Sequence, residues 1–370
     1  MKARALAGAT AEISLEAAAR NYLALRRRTT AKFCAVIKAN AYGHGAAVLG
    51  TLYEELGADY LAVATAEEAL ALRRAGIETP ILILGYVPPE FSVRAVREHL
   101  TLTVYDRRQA AALAAGTCGE ALTAHFKIDT GMGRLGFLPE DAAAAAAWIH
   151  TACPTLRITG IYTHLARADE GTAGRAATQK QLRTFAEVTP AVERIFGEKL
   201  LTHAENTAGL LCYPAGTLDM VRAGIGLYGY TPTSEGEPAP LSPVLTLAAP
   251  LVSVKTLPPG SPVGYGGTFV TRRPTVVGVL PLGYADGIPR LAGARGCQVA
   301  LHGKLAPVIG RVCMDQTLID LTGCGGSIGD TVTVYGNTPG ARLTDWAERL
   351  GAIPYELLTA IGTRVTRVYK

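Results

Sequence analysis

Apolar and polar positions fall into alternating blocks through the first two-thirds of this chain. Short runs that are apolar on both faces recur at Phe33–Ile37, Tyr60–Val63, Ile81–Leu84, Leu102–Val104, Leu122–Ile128, Ile158–Tyr162, Leu200–His203 and Met220–Arg222. Such runs predict strands covered on both sides, as in a parallel sheet. Stretches with helical periodicity lie between them, at Leu15–Arg28, Ala66–Ala75, Arg107–Ala115, Pro139–His150 and Gln179–Phe196. About eight strand–helix units predict an α/β fold of the (β/α)8 barrel type. Periodicity alone leaves a doubly wound open sheet as the alternative.

The pattern breaks at Gly229–Pro243, a stretch rich in Pro, Gly, Ser and Thr that reads as an inter-domain connection. Beyond it, short Val- and Thr-rich runs with turn signals recur at Leu245–Val254, Thr275–Pro281, Gln298–Leu301, Leu305–Ile309, Gln316–Asp320 and Thr331–Tyr335. These predict a mostly-β domain, with one helix at Leu343–Leu350. The division expected is a barrel over residues 1–236 and a β-domain over 237–370. Ala11–Leu15 reads as a strand ahead of the barrel that pairs with the β-domain.

Composition narrows the class. The 370 residues are 49% hydrophobic and 18% charged, with a formal net charge of +5, as in an ordinary soluble globular protein with room for two or more domains. The basic residues are scattered apart from Arg26-Arg27-Arg28, which falls on a predicted helix as a solvated face. Nucleic acid is therefore not an expected partner. No apolar run approaches the roughly 20 residues that span a bilayer. Seven cysteines, without a CxxC pair, read as free thiols and predict neither disulfides nor a metal site. With no apolar export segment in Met1–Thr10, a cytoplasmic protein is expected.

The candidate chemistry sits where predicted strands end. Ala35-Val36-Ile37-Lys38-Ala39-Asn40-Ala41-Tyr42-Gly43-His44-Gly45 runs from a buried strand through one lysine into a small turn. A lysine there either snorkels to the barrel mouth or is used, since partial burial lowers an amine's pKa and makes it nucleophilic. Other strand ends carry Lys127-Ile128-Asp129 leading to Arg134, then Tyr162-Thr163-His164, His203-Ala204-Glu205-Asn206-Thr207, and Arg222-Ala223-Gly224-Ile225-Gly226. In a barrel these ends share one face, where loops carry catalytic groups. The glycines after Arg222 read either as a phosphate cradle or as a tight turn.

The Lys38 segment closely resembles the cofactor-lysine motif of alanine racemases, a family of pyridoxal 5'-phosphate (PLP) enzymes built from a barrel and a β-domain. The likeness extends over nearly the whole chain, through Val263-Gly264-Tyr265-Gly266-Gly267-Thr268, Gly283-Tyr284-Ala285-Asp286-Gly287 and Gly310-Arg311-Val312-Cys313-Met314-Asp315-Gln316. It implies that Lys38 bonds the cofactor and that Tyr42, Asn206, Thr207, Gly224, Ile225 and Tyr355 hold its phosphate. His164 would lie against the ring and Arg222 would donate to the ring nitrogen. Lys38 and Tyr265 would be opposing bases, Lys38 on the D face and Tyr265 on the L face. An unperturbed tyrosine is a poor base at neutral pH, so neighbouring cations, for which His164 and Arg222 are the candidates, would lower its pKa.

Arg134, Met314 and Asp315 would face the substrate, and Tyr284 would gate it. Lys127 occupies the place where family members often carry a carbamylated lysine, the alternative being a plain Lys127–Asp129 pair. The resemblance further implies a head-to-tail homodimer with shared sites and D-alanine supply for peptidoglycan. Thr359 and Thr366 stand where the family often has cysteine and proline, outside the catalytic positions. Two other readings stay open. One is a serine or broad-specificity racemase, against which Tyr355 counts by crowding the side-chain pocket. The other is a non-catalytic PLP carrier, which would lack the Tyr265 and Met314 segments.

Overall fold

The computed structural model describes residues 8–213, 218–232 and 239–370. The expected division between residues 236 and 237 lies outside them. By internal contacts the chain forms two compact units. One holds Ala18–Ala41 and Ala46–Ser242; the other holds the chain up to Ala17, Tyr42–Gly45 and Pro243–Lys370.

The first strand, β1 (Thr10–Ile13), belongs to the second unit. The barrel strands follow: β2 (Lys32–Val36), β3 (Tyr60–Val63), β4 (Ile81–Ile83), β5 (Leu100–Val104), β6 (Leu122–Lys127), β7 (Leu156–Tyr162), β8 (Leu201–His203) and β9 (Met220–Ala223). They pair in parallel in sequence order, and β9 closes on β2 with Arg222 opposite Cys34. Closure removes the open-sheet alternative. Their side chains are almost all buried, which is why the strands read as continuous apolar runs rather than alternating ones.

Helices cover the barrel strands. Thr65 caps Ala66–Arg74 in a reciprocal box with Glu68, and Asp106 caps Arg107–Ala115. The helix expected at Gln179–Phe196 begins earlier and runs Gly171–Phe196. Three short helices carry no clear periodic signal and escape the sequence reading: Ala46–Glu55, Ser92–Arg97 and Thr207–Cys212.

The second unit is strand-rich, as expected of the C-terminal region. Its strands are β10 (Leu245–Pro250), β11 (Ser253–Leu257), β12 (Pro262–Val263), β13 (Phe269–Val270), β14 (Thr275–Leu280), β15 (Gln298–Leu301), β16 (Lys304–Pro307), β17 (Thr317–Asp320), β18 (Thr331–Tyr335) and β19 (Thr366–Tyr369). A six-stranded sheet runs β16-β15-β18-β10-β1-β19, and a three-stranded sheet runs β11-β14-β17. The run expected as one strand, Leu245–Val254, is therefore two strands in two sheets, broken at Pro250, which ends β10. Trp346, fully buried, packs edge-on against Tyr335 and donates to the Gln298 carbonyl at 2.7 Å.

Within the barrel unit, buried Asn21 ties the first helix, Leu15–Arg26, to the chain leaving the last strand. Its amide donates to the carbonyls of Leu227 and Ser242 and accepts from the Ser242 N–H, at 3.2, 2.8 and 2.9 Å. Asn21→Leu fits a similar volume but orphans these groups. We expect it to lower the unfolding free energy by about 2–4 kcal/mol in denaturant titration. A loss under about 0.5 kcal/mol, the scale of a neutral surface change, would contradict this.

Candidate active site

Lys38 stands two residues beyond β2, and the chain after it takes an uncommon path. Ala39, Asn40, Ala41 and Tyr42 all have φ between 51° and 54°. Left-handed backbone costs roughly 1–2 kcal/mol per non-glycine residue, so something must hold it. Glu68 does part of this. Its carboxylate accepts the N–H groups of Ala39 at 2.5 Å, Ala64 at 2.8 Å and Thr65 at 3.3 Å. Asn40 accepts the Ala46 N–H at 2.8 Å, and Ala41 N–H returns to the Ile37 carbonyl. The turn aims one lysine off the strand end and fixes the backbone behind it. Burial lowers the Lys38 pKa, helped by the charge of Arg134 and opposed by Glu68.

Arg222 is 3% exposed and, among the described residues, makes no ion pair. Its Nη1 donates to His203 Nδ1 at 2.7 Å. Its Nη2 donates to the carbonyls of Thr163 and Ala204 at 2.9 and 2.8 Å and faces His164 Nδ1 at 3.2 Å. Every partner is neutral. No acceptor among the described residues takes the Nε–H, so the guanidinium keeps a donor to give.

The positive charge shapes its neighbours. Burial first, then Arg222, drives His164 and His203 well below the ordinary histidine range. His164 is therefore neutral, which corrects the expectation that it is a cation beside the tyrosine base. A guanidinium only donates, so His164 Nδ1 is an acceptor. Lys127, 4% exposed, lies over the Tyr162 ring at 4.8 Å, and its Nζ has no hydrogen-bond partner among the described residues. Burial and Arg222 bring its pKa down to about 7.

The Lys127–Asp129 pair considered as an alternative is not formed. Asp129 instead collects the backbone N–H groups of Gly131, Met132, Gly133 and Arg134 at 2.7–3.0 Å. These bonds outweigh burial and hold the Asp129 carboxyl below its usual range. Asp129 thus pins the loop that carries Arg134.

Thr207 Oγ1 accepts from Gly224 N–H at 3.0 Å and Gly226 N–H at 3.3 Å, which leaves its own hydroxyl proton to donate. A Cβ on Gly226 would lie 2.7 Å from the Thr207 methyl, so only glycine permits this approach. Asn206 caps the following helix through Gly209 N–H. A half-buried amine, an unclaimed guanidinium N–H and a free hydroxyl proton fit a cofactor with an aldehyde, a ring nitrogen and a phosphate.

In the second unit, Tyr42 and Tyr355 lie with ring centroids 5.9 Å apart, and burial raises the Tyr42 pKa. Tyr265, Tyr284 and Met314 are exposed, Tyr265 by 65%. Arg364 bonds Asp286 at 2.8 Å and Asp315 at 2.9 Å, and so joins the turn that carries Tyr284 to the loop that carries Met314. Sequence reasoning missed both Arg364 and Glu68. Thr65-Ala66-Glu67-Glu68 is a recognisable capping box; Arg364 carried no signal.

Two family models match, "Alanine racemase, N-terminal domain" over residues 13–232 and "Alanine racemase, C-terminal domain" over residues 244–369. This chain belongs to the alanine racemase family. A curated alanine racemase from Desulfovibrio desulfuricans is 42% identical over 341 residues, 91% of each chain. Among solved alanine racemases, that of Clostridium difficile superposes with a TM-score of 0.93 at 33% identity, covering 99% of this chain and 97% of its own. That of Bacillus anthracis with bound L-Ala-P gives 0.91 at 33% identity, covering 100% and 96%. Among the described residues, no helix is long and apolar enough to cross a membrane.

Glu68 is the one anion among the charges acting on Lys38. A glutamine there removes a charge that favours the ammonium, so the Lys38 pKa should fall further. The pH midpoint for trapping Lys38 with an aldehyde and borohydride in cofactor-free Glu68→Gln protein should shift down. A midpoint that holds or rises would contradict the assigned role.

Proposed function

We propose that this chain interconverts L- and D-alanine, with PLP carried on Lys38. The observation that supports this most is Arg222, a buried guanidinium with neutral partners and an N–H to spare, on a barrel whose first strand delivers a lysine of lowered pKa. PLP, when bound, draws electrons from the substrate α-carbon and makes its proton removable.

Arg222 shares its N–H with the ring nitrogen and does not release the proton, since guanidinium stays protonated at accessible pH. A ring nitrogen left unprotonated by Arg222 would make bound PLP a weaker electron sink, which would favour proton return to the α-carbon over transamination. Lys38, with its lowered pKa, takes or returns the proton on the D face. Tyr265 serves the L face. Thr207, Asn206, Gly224, Ile225, Tyr42 and Tyr355 hold the phosphate, and His164 packs against the ring. Arg134 and Met314 hold the substrate carboxylate, Asp315 faces the substrate, and Tyr284 gates the entrance. Exposure of Tyr265, Tyr284 and Met314 supports a homodimer in which a second copy covers them.

Lys127 is proposed to carry a carbamate. Only the neutral amine attacks carbon dioxide, and a pKa of about 7 makes it abundant at neutral pH. The product is an anion for which Arg134 and Arg222 are ready counter-charges. In protein equilibrated with 13C-labelled carbon dioxide, a carbamate resonance should appear and grow from about pH 6 to about pH 8, and vanish in Lys127→Met. Its absence at every pH would refute the modification.

Lys38→Ala should bind PLP without a borohydride-fixable bond and racemise neither L-alanine nor L-serine. Tyr265→Ala should suppress proton exchange from L-alanine more than from D-alanine. Mixed and reassorted, the two inactive variants should recover roughly a quarter of wild-type alanine racemisation, because mixed dimers hold one intact site. No recovery despite exchange would contradict the shared site, and wild-type turnover of L-serine matching that of L-alanine would contradict the substrate.

A further inference from the structure

Behind Arg222 lies a second histidine that the proposed chemistry does not use. His125, on β6, and His203, at the end of β8, are both fully buried. His125 Nδ1 and His203 Nε2 are 3.0 Å apart, and His203 Nδ1 is 2.7 Å from Arg222 Nη1. The direction of both bonds is fixed by elimination. Guanidinium has no acceptor, so His203 Nδ1 carries a lone pair. Burial and Arg222 keep His203 neutral, so its proton is on Nε2. His125 Nδ1 must then accept, and the proton of neutral His125 is on Nε2.

The His125 ring has little freedom to present anything else. Gly160 is its cross-strand partner on β7, and a Cβ there would come within 2.7 Å of ring atoms Cδ2 and Nε2. The Tyr60 and His203 rings flank it at 5.9 and 5.0 Å. His125 Nε2 has no hydrogen-bond partner among the described residues. A ring flip would place a C–H against the His203 N–H and orphan that donor. Among the described residues, the bond to His203 is thus the one polar contact that holds this ring.

We infer that His125 is a positioning residue for Arg222. It fixes the tautomer and plane of His203, and His203 presents its lone pair to Nη1. The order Arg222 to His203 to His125 runs one way, because either histidine turned to a cation would set two donors face to face. The guanidinium is thereby held by a neutral acceptor, which supports it without cancelling its charge. The Nε–H stays available for the ring nitrogen. This role rests on the reading of Arg222 as the ring-nitrogen partner; the tautomer order does not.

The test begins with histidine 15N-labelled protein free of cofactor. Long-range 1H–15N spectra should show His125 and His203 both protonated at Nε2 and bare at Nδ1 throughout the neutral range. A proton on Nδ1 of either ring, or a cationic ring, overturns the order. Two variants of the loaded enzyme test the positioning. His125→Leu removes the acceptor and should lower kcat about tenfold with KM nearly unchanged, the scale of one orphaned buried donor. His125→Asn places an amide oxygen near the position of Nδ1 and should recover most of that loss. Equal losses in Leu and Asn, or no loss in Leu, overturn the positioning role. If His125→Leu fails to fold, the wild-type tautomers and the Asn variant still decide. An unchanged rate in Arg222→Gln would instead refute the ring-nitrogen reading and leave the tautomer result standing.

Discussion

A buried guanidinium that has no anionic partner among the described residues organises the end of this barrel. Arg222 is enclosed by β9 and its neighbours; among the described residues its hydrogen-bond partners are carbonyl oxygens and imidazole nitrogens, and the guanidinium lies over the Tyr162 ring at 5.2 Å. An unpaired buried charge is costly, and these acceptors offset part of the penalty without neutralising it. Around it, imidazoles cannot afford a second charge and remain neutral. The Lys127 amine drops to a pKa of about 7 for the same reasons, burial and the nearby cation. A field this positive suits a site that gathers a phosphate and a carboxylate.

The lysine is held by a second device, a strained turn. Four consecutive left-handed residues after Lys38 together cost several kcal/mol on the scale of ~1–2 each. Glu68, Asn40 and the return of Ala41 to Ile37 supply the hydrogen bonds that keep the turn closed. Strain fixed in this way holds the backbone at one angle, which suits the role proposed for Lys38 as both cofactor anchor and base. The capping box at Thr65 therefore serves two ends at once, starting a helix and anchoring the reactive turn.

The barrel was legible because doubly covered strands leave unbroken apolar runs, and each run found its strand within a few residues. The split of Leu245–Val254 was not legible, since a continuous apolar run hides a change of sheet. Ala46–Glu55 and Thr207–Cys212 are short and apolar, and their signal merges with the core. Nothing in Ala39-Asn40-Ala41-Tyr42 announces left-handed backbone, because no glycine marks it. Strand-end residues such as Lys38, His164 and Arg222 stood out through motif and position. His125 did not, because it sits inside an apolar strand, and its role depends on a ring contributed by β8.

The central claim is that Arg222 shares a proton with the cofactor's ring nitrogen and never gives it up. The direct measurement is the nitrogen resonance of ring-15N-labelled PLP bound to the wild-type protein. The account predicts the signal of an unprotonated, hydrogen-bonded pyridine nitrogen, unchanged across the neutral pH range. A pyridinium signal at any neutral pH would contradict it.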